Sequence, residues 1–115
     1  MKISENFDRS EFACKCGCGF DTVDAELITV LEDVRGIFHR PVVINSGARC
    51  REYNAAVGGG RDSQHLFGRA ADIAIGGIDP LDVQHYIDSV YPDMHGLGRY
   101  PNFTHIDTRN KKARW

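Results

Sequence analysis

His65 and Asp72 lie in the stretch Ser63-Gln64-His65-Leu66-Phe67-Gly68-Arg69-Ala70-Ala71-Asp72, and His105-Ile106-Asp107 follows further along the chain. Two imidazoles and a carboxylate in Gly-rich, otherwise apolar sequence are the ligand set of a catalytic zinc site. Such a site takes three protein ligands and keeps a fourth position for water. Asp72 sits among alanines and isoleucines, in Ala70-Ala71-Asp72-Ile73-Ala74-Ile75. A carboxylate there is costly to bury unless it is paired or metal-bound, which is the main argument for Asp72 as a ligand. Taken singly, a histidine is more often a surface or hydrogen-bonded residue, and a strand aspartate can bond backbone at an edge. Two nitrogens and one oxygen together suit zinc best among the common metals.

These residues need elements to present them. Phe103 to Thr108 reads as a strand in which Phe103, His105 and Asp107 share one side, while Thr104 and Ile106 point the other way, Ile106 into the core. Ala70 to Ile75 reads as another strand, ended by Gly76-Gly77. Gly96 to Tyr100 reads as a third, joined to the last around Pro101-Asn102. Val42-Val43-Ile44 after Pro41 is a short buried strand. Asp21 or Thr22 can cap a helix to about His39, with Val23, Leu27, Val30, Leu31, Val34 and Phe38 in one apolar stripe. A short helix is expected from Arg51 to Val57, stopped by Gly58-Gly59-Gly60. Another follows Asp79-Pro80, with Val83, Tyr86, Ile87 and Val90 on one face. Helices and strands mix without βαβ alternation, so the expectation is α+β, a small antiparallel sheet flanked by helices, in a single domain over residues 1–115.

The 115 residues are 42% hydrophobic, enough for one real core. The net charge of −2 and pI near 6.2 give no basic field for nucleic acid. The basic tail Arg109-Asn110-Lys111-Lys112-Ala113-Arg114 reads as a solvated terminus. No run approaches the ~20 apolar residues of a membrane span, and the polar start lacks the apolar region of a signal peptide. Synthesis in the cytoplasm is therefore expected. Cys14, Cys16, Cys18 and Cys50 leave alternatives open: a second, structural metal, a disulfide from Cys50, or free thiols in a reducing compartment. Ser46 and Ser63 lack a G-x-S-x-G context and Cys50 lacks a base partner, which argues against nucleophilic catalysis.

Ser46-Gly47-Ala48-Arg49, Asn54, Gly58-Gly59, Ser63-Gln64-His65-x6-Asp72, Gly96-Leu97-Gly98-Arg99-Tyr100 and Phe103-Thr104-His105-Ile106-Asp107, in this order, resemble the zinc D-Ala-D-Ala carboxypeptidases. These peptidoglycan peptidases share their fold with the hedgehog signalling domain. The resemblance implies that His65, Asp72 and His105 hold a catalytic Zn2+. It implies that Arg49 faces substrate, that Ser46 supports its loop, and that Ser63 and Gln64 line the entrance. Many relatives carry an acid three residues before the last zinc histidine as general base. Asn102 stands there in this chain, which leaves Asp107, or else His95, to take the proton.

The reading that follows is a zinc peptidase cutting the peptidoglycan stem peptide, at D-Ala-D-Ala or at an internal bond such as L-Ala-D-Glu. It would be a monomer of phage or bacterial origin, released to the cell wall at lysis without inserting into a membrane. The alternatives are a non-catalytic zinc module that recognises the wall, and an interaction protein centred on the four cysteines.

Overall fold

The computed structural model describes residues 1–115. Three helices, α1 (Ala25–Phe38), α2 (Arg51–Ala56) and α3 (Pro80–Val90), accompany five strands: β1 (Val42–Ser46), β2 (Ala70–Ile75), β3 (Gly96–Arg99), β4 (Thr104–Asp107) and β5 (Ala113–Arg114). The strands form one sheet in the order β1-β2-β4-β3-β5. The architecture is α+β, as the sequence predicts.

Period-two alternation decides what each face of the sheet does. Val42, Ile44, Ala71, Ile73, Ile75, Leu97 and Ile106 are buried in one cluster with Leu27, Val30, Leu31 and Val34 of α1 and Val83 and Ile87 of α3. The intervening residues Asp72, His105 and Asp107 therefore face the other way, toward the loops. Ile106 separates the two faces of β4 and is itself fully buried.

Two expectations are corrected. The sheet is mixed, because β5 pairs with β3 in parallel. The basic tail is solvated at Asn110, Lys111 and Lys112 but not at Arg109 and Arg114. Arg114 donates to Asp88 at 2.7 Å, to the carbonyl of His95 at 2.6 Å and to that of Tyr91 at 2.8 Å, pinning the tail across the end of α3. Charge composition could not reveal this, since the partners are mostly backbone carbonyls at a helix end.

Helix α1 starts at Ala25, later than Asp21 or Thr22, because the preceding segment is held extended against Gly68. Gly68 sits at φ 67°, and a Cβ there would run into the backbone of Thr22. Its carbonyl accepts the amide of Asp24 at 2.9 Å. The Asp24 carboxylate in turn accepts from Thr108 at 2.8 Å, tying the start of α1 to the end of β4.

Truncating Ile106 to Ala should cost about 2–5 kcal/mol, the usual penalty for emptying a fully buried aliphatic site. The midpoint of urea unfolding measures it, and a loss under about 1 kcal/mol would contradict this placement of β4.

Candidate metal centre and cleft

Asp72 and His105 stand directly opposite each other on the antiparallel pair β2 and β4. Opposed residues bring their Cβ atoms within about 5 Å, and here His105 Nδ1 lies 3.0 Å from Asp72 Oδ1. The row continues on both sides: Ser46 of β1 faces Asp72, and Gly98 of β3 faces His105. Ser46 reaches this row because β1 shifts register between Ile44 and Ser46. Such a bulge re-aims a side chain to the other face.

His65 comes from a short 3-10 turn, Gln64–Phe67, capped by Ser63, whose hydroxyl accepts the His65 amide at 3.2 Å. Its Nε2 lies 3.3 Å from Asp72 Oδ1. The ligand atoms of His65, Asp72 and His105 all fall within 4.8 Å of one another, and all three residues are buried.

The proton positions test whether a cation fits. His65 Nδ1 is 2.7 Å from the carbonyl of Gly47, so that nitrogen carries the hydrogen and Nε2 of the neutral ring presents a lone pair. His105 Nε2 is 2.7 Å from Asp107 Oδ2, so Nδ1 presents the lone pair. Both lone pairs then face one oxygen of Asp72. Three acceptors turned on one point repel unless protons or a cation intervene, and this donor set matches zinc. Where protons rather than a cation fill the gap, the rings donate to Asp72: burial pushes its carboxyl up, but the bonds from His105 and His65 outweigh it and hold it well below the usual range. Burial works downward on His105, yet its contacts with Asp107 and Asp72 leave it raised above 6.5.

Asp107 does not stand as a base on the cleft. It is fully buried. Its oxygens take the His105 ring, the Gly96 amide at 3.1 Å and the Arg109 guanidinium at 2.8 Å through both Nε and Nη2. Gly96 makes room, since a Cβ there would collide with the carboxylate. Burial acts upward on Asp107, but the bonds from His105 and Arg109 hold it well below the usual carboxylate range. The geometry makes it the partner that fixes the His105 ring, an arrangement common behind metal-bound histidines. His95 is equally unsuited to act as base. It is buried at φ 67°, with Nδ1 3.1 Å from the Arg109 carbonyl and Nε2 3.5 Å from Glu26, away from the cleft. Asn102 is exposed in the β3–β4 turn and is not on the cleft wall either.

A cavity of about 430 Å3 opens over His65, Asp72 and His105. Arg49, Ser63 and Gln64 line it, and Ser46 does not. The Ser46 hydroxyl instead accepts from Arg49 Nε at 3.0 Å, while Arg49 donates to Asn54 at 3.3 Å and to Asp72 Oδ2 at 3.0 Å. Asn54 also donates to the Gly60 carbonyl at 2.8 Å. A Cβ on Gly59 would strike Asn54, so the glycine loop can close over Arg49 only as glycine. Gln64 Oε1 is buried without a hydrogen-bond partner.

Sequence reasoning missed the wall opposite. Tyr100, Phe103, Arg109 and Trp115 line the cavity. The indole of Trp115 lies over Gly98, where a Cβ would come within 2.5 Å of it. It tilts against His105 at 5.2 Å, carries the Arg109 guanidinium at 5.3 Å and donates from Nε1 to the Tyr100 hydroxyl at 2.9 Å. The alternation that pairs His105 with Asp107 extends one step to Arg109, a signal that was available. Nothing local in the tail marked Trp115.

A buried pair of histidines and one carboxylate on the open face of an α+β sheet, beneath a cationic cleft, is the donor set that zinc hydrolases use. The chain belongs to the Peptidase M15 family of zinc-dependent peptidases, which matches residues 5–107. The match takes in His65, Asp72, His105 and Asp107 and stops short of Arg109 and Trp115. Comparison with curated proteins finds no match.

Two outcomes are expected. Asp107→Asn should weaken zinc binding about 10–100-fold, read by chelator competition on the folded protein; an unchanged affinity would sink its assigned role. The second concerns pH. With the metal absent, the raised His105 contributes stability that is complete below an unfolded value of about 6.5 and fades as pH climbs through the higher folded value. Asp72 and Asp107, being lowered, lose their contribution only in acid. Metal needs the neutral ring, so the rise in melting temperature on adding zinc should grow from about pH 6 to about pH 8. A flat or falling difference would contradict it.

Proposed function

We propose that this chain is a zinc peptidase that hydrolyses a peptide bond in the peptidoglycan stem peptide. The observation that carries the reading is the convergence of His65 Nε2, Asp72 and His105 Nδ1 in a cavity flanked by Arg49 and Arg109. Bound zinc would polarise the scissile carbonyl and lower the pKa of water toward neutrality. The residues around it do the rest. Arg49 and Arg109 are permanent, forked cations suited to carboxylates, in which stem peptides are rich. Both hold aspartates already, so they meet substrate from fixed positions. Tyr100 accepts the indole N–H of Trp115 and thereby keeps its own O–H to donate. We assign that hydroxyl to the oxygen on which negative charge develops. Gln64 and Ser63 stand beside His65 to orient the peptide backbone.

The bond cut is D-Ala-D-Ala or an internal bond such as L-Ala-D-Glu, and muropeptide mass spectrometry after digestion distinguishes them. The same proposal has a monomer, of phage or bacterial origin, made in the cytoplasm and reaching the wall when the cell is lysed. One observation favours a second reading, a zinc-dependent wall-recognition module without catalysis. Asp72 is the sole carboxylate on the cavity wall, so no separate acid is at hand to take a proton.

Purified peptidoglycan should release new amino groups with the protein and stop doing so with a chelator or in His65→Ala. Metal-dependent binding to the wall without amine release would support the module. Tyr100→Phe should lower kcat about a hundredfold, as loss of one oxyanion donor does, with KM little changed. An effect confined to KM would remove Tyr100 from that role.

A further inference from the structure

We propose that Cys14, Cys16, Cys18 and Cys50 form a second metal site, a four-thiolate zinc centre that staples the N-terminal loop to the segment carrying Arg49. The proposal does not depend on the peptidase reading.

The sulfurs are already gathered. Cys14 Sγ lies 3.4 Å from Cys16 Sγ and 3.8 Å from Cys50 Sγ, and Cys16 lies 3.7 Å from Cys50. All four sulfurs fall within 4.8 Å of one another. A zinc ion with Zn–S bonds near 2.3 Å has sulfur–sulfur edges of about 3.8 Å in a regular tetrahedron. The three measured edges cluster around that value, and soft sulfur in a tetrahedron favours zinc.

The alternate C-x-C-x-C spacing looks wrong for this, since an extended chain would place successive cysteines nearly 7 Å apart along one face. Two glycines remove the difficulty. Gly17 at φ 84° and Gly19 at φ 92° turn the chain back on itself, and the Gly17 amide donates to the Cys14 carbonyl at 3.2 Å. Nothing occupies the space a Cβ would take at either glycine, so backbone conformation rather than crowding selects them.

Backbone amides aim at the sulfurs as well. The Cys50 amide points at Cys14 Sγ at 3.5 Å and the Tyr53 amide at Cys50 Sγ at 3.4 Å. Such donors favour sulfur in its charged, ligating form. Packing does not account for the cluster, because Cys16 and Cys18 are exposed. On binding, each thiol gives its proton to solvent and no electrons move.

The staple bears on the cleft through one peptide bond. Cys50 follows Arg49 directly. The preceding residues lie flat on the N-terminal segment: the Ala48 amide donates to the Phe12 carbonyl at 2.8 Å, and a Cβ on Gly47 would press on the Phe12 backbone at 2.7 Å. A metal at the four sulfurs fixes both ends of this contact.

The test is metal content of the whole chain, prepared in reducing buffer. Wild type should hold two zinc ions, His65→Ala one, and Cys16→Ser/Cys18→Ser one. Because Cys16 and Cys18 are exposed, serine there leaves the core intact. Cobalt-loaded His65→Ala should show a thiolate-to-metal absorption band that the cysteine variant lacks. The proposal is overturned if His65→Ala holds no zinc, if iron takes its place, if all four thiols react freely in His65→Ala without a chelator, or if mass spectrometry finds Cys50 in a disulfide. Failure of the peptidase reading would leave the single zinc of His65→Ala untouched.

Discussion

The cross-strand pairing of Asp72 with His105 is the contact on which the rest depends. A carboxylate in the middle of a sheet, with Ala71 and Ile73 buried on either side, loses much of its hydration. Unpaired, that costs several kcal/mol. The fold meets the cost from every direction. His105 comes from the next strand, His65 from a capped turn, and Arg49 from beyond β1. Each of these is then held in turn, by Asp107, by the Gly47 carbonyl, and by Ser46 and Asn54. The glycines at 59 and 96 stand where a side chain would break one of these contacts, and Gly98 stands where one would strike Trp115.

The order of the sheet follows from this. The two central strands carry the opposed pair, and the flanking strands supply small residues beside it. Ser46 and Gly98 leave the row open above the sheet, and Trp115 covers the end that Gly98 leaves bare. Arg109 bridges the buried layer and the cleft. It forks onto Asp107 below while lining the cavity above, so the residue that steadies His105 indirectly also contributes charge to the binding surface.

Much of this was legible in the sequence. Strand β2 has the bounds that the apolar run ended by Gly76-Gly77 predicts, and Asp72 stood out because it is the wrong residue for an apolar strand. The side-sharing of His105 and Asp107 followed from period two alone. What that alternation could not give is ring orientation. Asp107 was a plausible base until the structure turned the Nε2 edge of His105 onto it, and the choice between the two edges is made by a rotamer, which leaves no mark in spacing. The tail was misread for a related reason. Arg114 looks solvated until its acceptors are known, and most of those are carbonyls at or just beyond the end of α3. The cysteine run was ambiguous because its geometry depends on two glycine dihedrals rather than on cysteine spacing.

The two histidines offer different ring nitrogens, Nε2 from His65 and Nδ1 from His105. Nδ1 reaches no further from the backbone than the amide of an asparagine, whereas Nε2 reaches about as far as that of a glutamine. An ion taken up there would meet strand β4 through the shorter reach and the His65 turn through the longer one. A small change in the turn would shift only the longer arm, while a slip of a single residue in the strand would carry His105 to the other face of the sheet.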